Sequence, residues 1–501
     1  MLPRAAIAML AGGVSVLAFA PFGAFPLAFV SLAVLVWVLE REPRPRGGFL
    51  VGFAWGLGAF VFGVSWLYIA LNRYGGVPVP VAALAILLFC AYLALYPALV
   101  AALYVRLRRG GPFAHAALFA GLWVVAEWLR GWVFTGFPWL AIGYSQTPPS
   151  PLAGYLPVIG VYGVGGLVAF ASVLLALVPM RAFAQSGRIL APMVLILLLG
   201  FALGRIAWTT PSGEPLRVAL VQTNIEQGLK WEPAMLAQWL EVNAHLAGQS
   251  DADLVVLPET TLPLLVEQLP QGYLEDLAGG VRARDGDLIV GVFDRDARGQ
   301  IFNAAISLGT APHQIYAKQH LVPFGEYSPP LFGWFYALAE IPMSDQTPGS
   351  RDQRPMRLGE QRIAINICYE DLFGRVIRRG LPEATILLNI SNLAWYGRSL
   401  AQPQHLQIAR VRAIEAGRTM LRSTNTGMTA AVNPDGSVAG VMPQFERGAL
   451  EMEVMGHQGL TPYARWGDGT ALVLALLALV VGAWRKHDPG AAASGDRPPP
   501  A

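Results

Sequence analysis

The sequence predicts a polytopic α-helical membrane domain joined to an α/β domain that lies outside the membrane. Of the 501 residues, 54% are hydrophobic and 14% are charged, with a mean hydropathy of +0.45, whereas a soluble chain carries about 25% charge. The apolar excess is concentrated in residues 1–208, while residues 212–463 have the mixed composition of a water-facing domain. The length suits two or three domains.

The remaining composition excludes several classes of protein. A net charge of +3 gives no argument for a nucleic-acid partner, and none is expected. The two cysteines, Cys90 and Cys368, are too few for a disulfide framework. The sequence shows no metal-ligand cluster and no nucleotide motif, so neither a metal nor a cofactor is expected.

Eight apolar segments are candidates for membrane-spanning helices, because a span needs about 20 mostly apolar residues. Seven precede the α/β region, at 5–20, 25–39, 49–71, 77–105, 114–133, 158–178 and 189–207, and the eighth lies at 470–484. The first two are short, and the Pro-Gly break between them predicts a hairpin or a kink. A cleaved signal peptide at 5–20 is the alternative, which the hydrophobic continuation disfavours.

Arginines in alternate loops predict the orientation of these helices, because short cytoplasmic loops are enriched in Lys and Arg. The basic loops carry Arg4; Arg41, Arg44 and Arg46; Arg106, Arg108 and Arg109; Arg181 and Arg188; and Arg485 and Lys486. The intervening short loops hold only Arg73. This alternation predicts that both termini are cytoplasmic and that the α/β region is on the outer face.

The resulting domain prediction has four parts. Residues 1–211 form a transmembrane domain of seven helices, 212–463 a catalytic domain on the periplasmic side, 464–486 the eighth transmembrane helix, and 487–501 a disordered cytoplasmic tail. Within the second part, β-like runs at 216–221, 254–257, 288–293, 304–308, 362–367 and 385–389 alternate with helical patterns at 233–246 and 404–417. Such alternation predicts an α/β fold.

Three polar residues follow predicted strands of this α/β domain. Glu259 closes the run at 254–258, Lys318 follows 314–317, and Cys368 follows 363–367. A thiol reacts only as the thiolate, so it needs a base and a positive neighbour. The carboxylate can take the proton, and the ammonium can stabilise the oxyanion formed when the thiolate attacks a carbonyl.

Each of these residues alone has an ordinary structural explanation. A cysteine after a strand is usually a small buried apolar residue, and Cys90 is interpreted in that way. Glu259 and Lys318 could each be a solvated surface charge. No histidine has an equivalent position after a strand, so a Cys-His pair is the weaker interpretation. Lys230 is taken to lie outside the chemistry.

The local motifs around these residues resemble the nitrilase superfamily. The motifs are Leu257-Pro258-Glu259, Tyr316-Ala317-Lys318 with His320-Leu321-Val322-Pro323-Phe324-Gly325-Glu326-Tyr327, and Asn366-Ile367-Cys368-Tyr369-Glu370. With the flanking helices, nearly the whole chain resembles the bacterial apolipoprotein N-acyltransferase family. Lys230-Trp231, Thr135-Gly136-Phe137-Pro138-Trp139 and Asn389-Ile390-Ser391-Asn392 add to this resemblance.

The resemblance implies an α-β-β-α sandwich with a Glu-Lys-Cys triad. Glu259 would be the proton acceptor, Lys318 the oxyanion stabiliser and Cys368 the nucleophile. Supporting roles would fall to Glu326, Glu370 and Tyr369, whose backbone N–H could be a second oxyanion donor, and Trp231 would line the entrance for substrate. One departure is Leu393, where relatives often carry an acidic residue after the asparagine.

The same resemblance implies the reaction and its setting. The acyl donor would be a phospholipid, for example phosphatidylethanolamine, and the acceptor the α-amino group of a diacylglyceryl-cysteine on an apolipoprotein. The enzyme would be a multi-pass protein of the bacterial inner membrane, with apolar residues at 331–338 dipping into the outer leaflet or packing on the domain. Glu127 and Arg130 would pair with each other or with headgroups, because charges are costly in lipid.

Two alternatives remain at this stage. A membrane-tethered amidase or carbon–nitrogen hydrolase would use the same triad and pass the acyl group to water. The other alternative is a channel or transporter that carries an inactive nitrilase-like module. Against it, the apolar half shows no inverted repeat and no series of polar residues that could line a transport pathway. The eight segments favour a lipid substrate.

Overall fold

The computed structural model describes residues 2–178, 183–329 and 345–483. The fold class is confirmed, since an apolar helical bundle is joined to an α/β domain built on two sheets. Three predicted features lie outside the described residues: the apolar segment 331–338, the tail 487–501, and the basic residues Arg181, Arg485 and Lys486.

Each predicted apolar segment contains a helix. The first seven are α1 (Leu2–Ser15), α2 (Pro26–Leu39), α3 (Pro45–Val64), α4 (Val79–Leu107), α5 (Pro112–Arg130), α6 (Leu156–Leu177) and α7 (Phe183–Leu203), and Gly469–Ala483 follows the α/β domain. Four segments are long and apolar enough to cross a membrane, namely Pro45–Val64, Val79–Leu107, Pro112–Arg130 and Pro151–Leu177. The other four apolar segments are shorter, namely Leu2–Ala18, Pro26–Leu39, Leu190–Leu203 and Gly469–Ala483, so the number of eight spans stays a prediction.

The bundle packs through small residues at close helix crossings. Gly48, Gly52 and Gly56 recur every fourth position along α3 and face α4, where an added Cβ at Gly52 would lie 2.5 Å from the Pro97 carbonyl oxygen. Between helices in lipid there is little hydrophobic driving force, so association depends on close backbone packing at such small residues. The glycines therefore fix the distance between α3 and α4.

The α/β domain contains two six-stranded sheets. The first has the order β12-β1-β2-β3-β4-β5, and the second β11-β10-β9-β8-β7-β6. In chain order the strands are β1 (Thr210–Gln222), β2 (Leu254–Val256), β3 (Asp287–Arg295), β4 (Ile301–Gly309), β5 (Gln314–Ala317), β6 (Met356–Leu358), β7 (Gln361–Ile367), β8 (Ile386–Ser391), β9 (Thr419–Thr424), β10 (Ala430–Val432), β11 (Val438–Val441) and β12 (Gly448–Gln458). The centres β1-β2-β3 and β7-β8-β9 are parallel, and the outer pairs are antiparallel.

The sheets face each other and carry helices on their outer faces. Inward side chains such as Val218, Val256, Ile365 and Leu388 form one buried cluster between the sheets. The first sheet is covered by α8 (Leu236–Gly248) and α9 (Tyr273–Arg282), and the second by α10 (Ala401–Ala416). This gives four layers, α-β-β-α, because each parallel core must bury both of its faces.

Helix α10 also docks the α/β domain on the bundle, and it is buried on nearly all sides. Gln404 accepts from the indole N–H of Trp139 at 2.8 Å, and Glu415 accepts from the backbone N–H of Val161 at 2.7 Å. Arg412 contacts Glu415 and the Tyr144 hydroxyl. Because buried polar groups need partners, these contacts fix one orientation of the α/β domain on the bundle.

Candidate active site

Two of the three predicted site residues, Glu259 and Lys318, form an ion pair, although they follow different strands. Glu259 follows β2 and Lys318 follows β5, and Lys318 Nζ lies 3.2 Å from Glu259 Oε1. Both side chains are almost completely buried. Cys368 follows β7 of the facing sheet, and the charges of Glu259 and Lys318 both act on its thiol. The three strand ends therefore meet between the sheets.

The Lys318 ammonium lies between two carboxylates. It donates to Glu326 Oε1 at 2.7 Å and to Glu259 Oε1 at 3.2 Å. Asn303, on β4, donates to the same oxygen atoms of both carboxylates, at 2.8 Å and 3.0 Å. Burial opposes the charged ammonium, but Glu259 and Glu326 raise the pKa of Lys318 well above its usual range. Lys318 is thus a permanent, positioned cation.

The Glu259 carboxylate is held ionised. Burial alone would raise its pKa, but the Lys318 charge and hydrogen bonds from Asn303 and from the Asn392 backbone N–H, 2.7 Å from Oε2, lower that pKa below the ordinary value. Gly291 on β3 makes room for this arrangement, since a Cβ there would lie 2.8 Å from the Glu259 Cα. A carboxylate with this environment can accept a proton.

Cys368 has the left-handed backbone conformation that few non-glycine residues adopt, with φ of +53°. Such strain is held by surrounding contacts, and here Asn389 Nδ2 donates to the Cys368 carbonyl oxygen at 3.0 Å. Burial and the Glu259 charge raise the pKa of the Cys368 thiol well above its usual range, while Lys318 opposes the rise. The resting thiol is therefore protonated and needs a base to become a nucleophile.

Glu370 and Tyr369 brace the loop after Cys368. Glu370 accepts from the backbone N–H groups of Gln319 and His320, at 2.7 Å and 3.0 Å, and from the Tyr316 hydroxyl at 2.9 Å. It therefore connects the cysteine loop to the lysine loop, and its hydrogen bonds go to these groups and not to the Lys318 ammonium. The Tyr369 hydroxyl donates to the Gly136 carbonyl oxygen at 2.8 Å, which anchors the loop to the bundle.

Trp231 and Lys230 lie on the segment that follows β1. The Trp231 ring is half-buried 5.9 Å from the Phe293 ring. Lys230 is 2% exposed and donates to Thr260 Oγ1 at 2.9 Å, directly beside Glu259. Burial lowers the pKa of Lys230 to about 7, opposed by the Glu259 charge. That Lys230 takes no part in the chemistry stays a prediction, but its position beside Glu259 makes it unsuitable as a remote control.

A second group that the sequence did not predict is a buried charge network beneath the cysteine loop. Asp371 contacts His405 Nε2 at 2.6 Å and accepts from Arg422 at 2.9 Å, and all three side chains are fully buried. Arg422 also donates to Asn389 at 3.2 Å. The network connects α10 and β9 to the loop of Cys368.

The buried charged side chains of Glu127 and Arg130 find their partners in the backbone of the loop that follows α5. Arg130 donates to the carbonyl oxygens of Phe137 and Trp139 at 2.7 Å and 2.6 Å, and Glu127 accepts from the Ile142 backbone N–H at 2.7 Å. The two side chains are 3.9 Å apart and buried. They therefore hold the 131–142 loop, on which Tyr369 docks, against the bundle.

Within the described ranges, no group of three or more His, Cys, Asp or Glu residues could hold a metal ion. The arrangement instead offers a protonated thiol, an ionised carboxylate and a fixed ammonium between two sheets. These groups can attack a carbonyl, accept the proton and stabilise the oxyanion. Fold and site together define an α-β-β-α domain with a cysteine, a glutamate and a lysine at neighbouring strand ends, joined to an apolar helical bundle.

Comparison with known proteins identifies the family. Residues 11–174 match the family described as "Apolipoprotein N-acyltransferase N-terminal domain", and 217–456 match "Carbon-nitrogen hydrolase". Proteins named apolipoprotein N-acyltransferase are similar over nearly the whole chain: one from Nitrosomonas europaea is 45% identical over 94% of both chains, and one from Chromobacterium violaceum is 44% identical over 96% of this chain and 94% of its own. The chain belongs to the apolipoprotein N-acyltransferase family.

Among solved structures, a mutant of the Nesterenkonia AN1 amidase from the nitrilase superfamily is similar to this chain. It has 19% identity and a TM-score of 0.39, and the match covers 51% of this chain and 95% of the amidase. This match covers only about half of the chain. The relatives that match nearly the whole chain are named apolipoprotein N-acyltransferase, so the alternative function as an amidase is not favoured.

Proposed function

We propose that this protein transfers a fatty acyl chain from a membrane phospholipid to the α-amino group of the diacylglyceryl-cysteine that begins an apolipoprotein. This would be the final step of lipoprotein maturation. The observation that carries the proposal is that the buried pair Glu259 and Lys318 lies beside a cysteine loop whose Tyr369 is hydrogen-bonded to the apolar bundle. Relatives that match nearly the whole chain are named apolipoprotein N-acyltransferase.

In the first half-reaction, Glu259 takes the proton of the Cys368 thiol as the sulfur attacks an ester carbonyl of the phospholipid. A C–S bond forms, and the carbonyl oxygen becomes an oxyanion that Lys318 and the Tyr369 backbone N–H stabilise. Collapse breaks the ester C–O bond, and Glu259 returns its proton to the leaving lysophospholipid oxygen. Cys368 is left as a thioester.

In the second half-reaction, the neutral α-amino group of the acceptor attacks the thioester carbonyl. Glu259 takes a proton from the amine, an amide bond forms, the C–S bond breaks, and the proton passes to the Cys368 sulfur. Donor and acceptor thus react in turn, which is a ping-pong order. Glu326 and Asn303 position the ammonium and the base, Glu370 positions the cysteine loop, and Trp231 lines the entrance.

The acceptor test separates this function from that of a tethered hydrolase. The protein is first acylated with phosphatidylethanolamine and freed of lipid, and loss of the acyl mass is then followed with a diacylglyceryl-cysteine peptide. We expect discharge to be at least a hundredfold faster than in buffer alone, because the acceptor amine is a better nucleophile than water. The same peptide with an acetylated amine is the control. Equal discharge in all three arms would assign a hydrolase.

The proposed orientation places residues 212–463 in the periplasm, 1–211 and 464–486 in the inner membrane, and 487–501 in the cytoplasm. Reporter fusions after Arg188 and His487 should give cytoplasmic signals, and a fusion after Gly213 an external one. The reason is that loops rich in arginine are retained inside. An external signal at His487 would show that the eighth segment does not span the membrane. A cytoplasmic signal at Gly213 would show that the orientation is the reverse of the one proposed.

A further inference from the structure

A group of cationic and aromatic side chains lies beside the cysteine loop without a role in the mechanism above. We call His320, Arg375 and Arg379 the basic rim. His320 is two residues after Lys318, and its ring stacks 3.8 Å from the Phe373 ring. Arg375 lies 4.6 Å from the same Phe373 ring, and Phe373 is 5.1 Å from the Tyr369 ring next to Cys368. The rings of Phe373 and Tyr369 therefore connect the rim to the loop of Cys368.

The rim also borders the membrane side of the protein. The Arg375 guanidinium lies 4.0 Å over the ring of Trp132, and it donates to the Gly131 carbonyl oxygen at 3.2 Å. Trp132 is 47% exposed and Phe134 is 82% exposed, directly after α5 ends. Exposed aromatic side chains at the end of a span are typical of the membrane–water interface. Arg375 thus lies between this interface and the cysteine loop.

The positive charges of the rim are not neutralised within the described part of the chain. Arg375 and Arg379 form no ion pair there, and Arg379 is exposed, with a hydrogen bond to Gln319. Asp468 acts on Arg375 only through its charge and accepts a hydrogen bond from Tyr463 instead. Burial first, and then Arg375, Lys318 and Arg379, lower the pKa of His320 to about 3. His320 is therefore neutral, and the charge of the rim comes from Arg375 and Arg379, neither of which forms an ion pair with a carboxylate of the described residues.

We propose that Arg375, with Arg379 beside it, binds the phosphodiester of the acyl-donor lipid while the donor ester reaches Cys368. This inference rests on the proposed function and adds a subsite to it. In a glycerophospholipid the phosphate and the ester share one glycerol unit, so an ester at Cys368 places the phosphate at the edge of the site. Arginine is suited to phosphate, because its planar fork donates two parallel charge-assisted hydrogen bonds. Among the described residues, the Arg375 guanidinium donates one hydrogen bond, to the Gly131 carbonyl oxygen.

The test compares two acyl donors in the same neutral detergent: phosphatidylethanolamine, and a diacylglycerol with the same chains but no phosphate. Acyl-enzyme formation is measured by intact mass. Arg375→Gln should raise the KM for phosphatidylethanolamine about tenfold or more, because charge-assisted hydrogen bonds are lost, and change the kinetics with diacylglycerol less than about twofold. Arg379→Gln should show the same selectivity with a smaller effect. Arg465→Gln, an exposed charge removal, is the matched control.

Each outcome decides the proposal. If Arg375→Gln slows both donors equally, the arginine acts through structure and the phosphate site is wrong. Failure of the unmodified protein to form any acyl-enzyme would overturn the proposed function itself. A further arm adds inorganic phosphate to the diacylglycerol reaction. If phosphate inhibits the unmodified protein strongly and Arg375→Gln abolishes that inhibition, the site belongs to the free anion and the lipid assignment is overturned.

Discussion

Replacing Cys368 with alanine is expected to abolish acyl-enzyme formation and turnover. The unmodified protein should gain the mass of one acyl chain after exposure to phospholipid, and Cys368→Ala should gain none. The reason is that the thiol supplies the bond-forming electron pair, and no neighbouring group replaces it once the sulfur is gone. Removal of a nucleophile of this kind lowers rates by orders of magnitude.

Cys90→Ala is the matched control for this result. Cys90 is the other cysteine of the sequence, and it is completely buried inside α4, which is not one of the elements that carry the site residues. Its replacement should leave labelling and turnover nearly unchanged. An acyl adduct that persists in Cys368→Ala but disappears in Cys90→Ala would show that the site assignment is wrong.

Replacing Lys318 with alanine or arginine should slow acyl-enzyme formation by roughly a hundredfold or more, since one preorganised oxyanion donor contributes about 3–4 kcal/mol. Arginine keeps the charge, but its planar fork does not fit the space between Glu259 and Glu326, which are 3.2 Å and 2.7 Å from the ammonium. The measurement is the single-turnover rate of acylation by intact mass.

The pH dependence distinguishes Lys318 from a residue with only a structural role. Lys318 lowers the pKa of Glu259, so its removal should shift the acid limb of the acylation rate to higher pH. Arg298→Ala, which removes an exposed charge from the turn between β3 and β4, is the control and should change neither rate nor profile. Lys230→Ala is unsuitable, because Lys230 is buried beside Glu259. Unchanged kinetics in Lys318→Ala would show that this lysine takes no part in the reaction.

Much of the fold could be predicted because it depends on local patterns. The six predicted β-like runs fall in or across β1, β2, β3, β4, β7 and β8, and helical patterns at 233–246 and 404–417 overlap α8 and α10. The strands β6 and β9–β12 were not predicted. They include short strands and a buried strand with several polar residues, Thr419–Thr424, which has no simple apolar pattern. Its Arg422 contacts His405 on α10, and its Ser423 donates to the Val221 carbonyl oxygen of the other sheet.

Part of the candidate site was equally local, and part was not. Glu259, Lys318 and Cys368 could be singled out because each follows a strand, where a polar side chain can leave the sheet. Asn303 could not, because its role depends on the pairing of β3 with β4, which brings it beside two carboxylates from other loops. Arg375 was missed because its significance lies in its contacts with the Trp132 ring and the Gly131 carbonyl oxygen, which belong to a distant part of the sequence.

The sequence by itself determined that this chain has an apolar helical part and an α/β part, and which strand ends carry reactive groups. These properties follow from composition and from side-chain periodicity, both of which are local features of the sequence. Only the tertiary structure decided that Lys230 belongs beside Glu259, that Glu370 braces backbone N–H groups instead of the lysine, and that α10 fixes the site above the bundle. These features depend on hydrogen bonds between residues tens to hundreds of positions apart. The periodicity of the sequence does not show which buried polar groups will become partners.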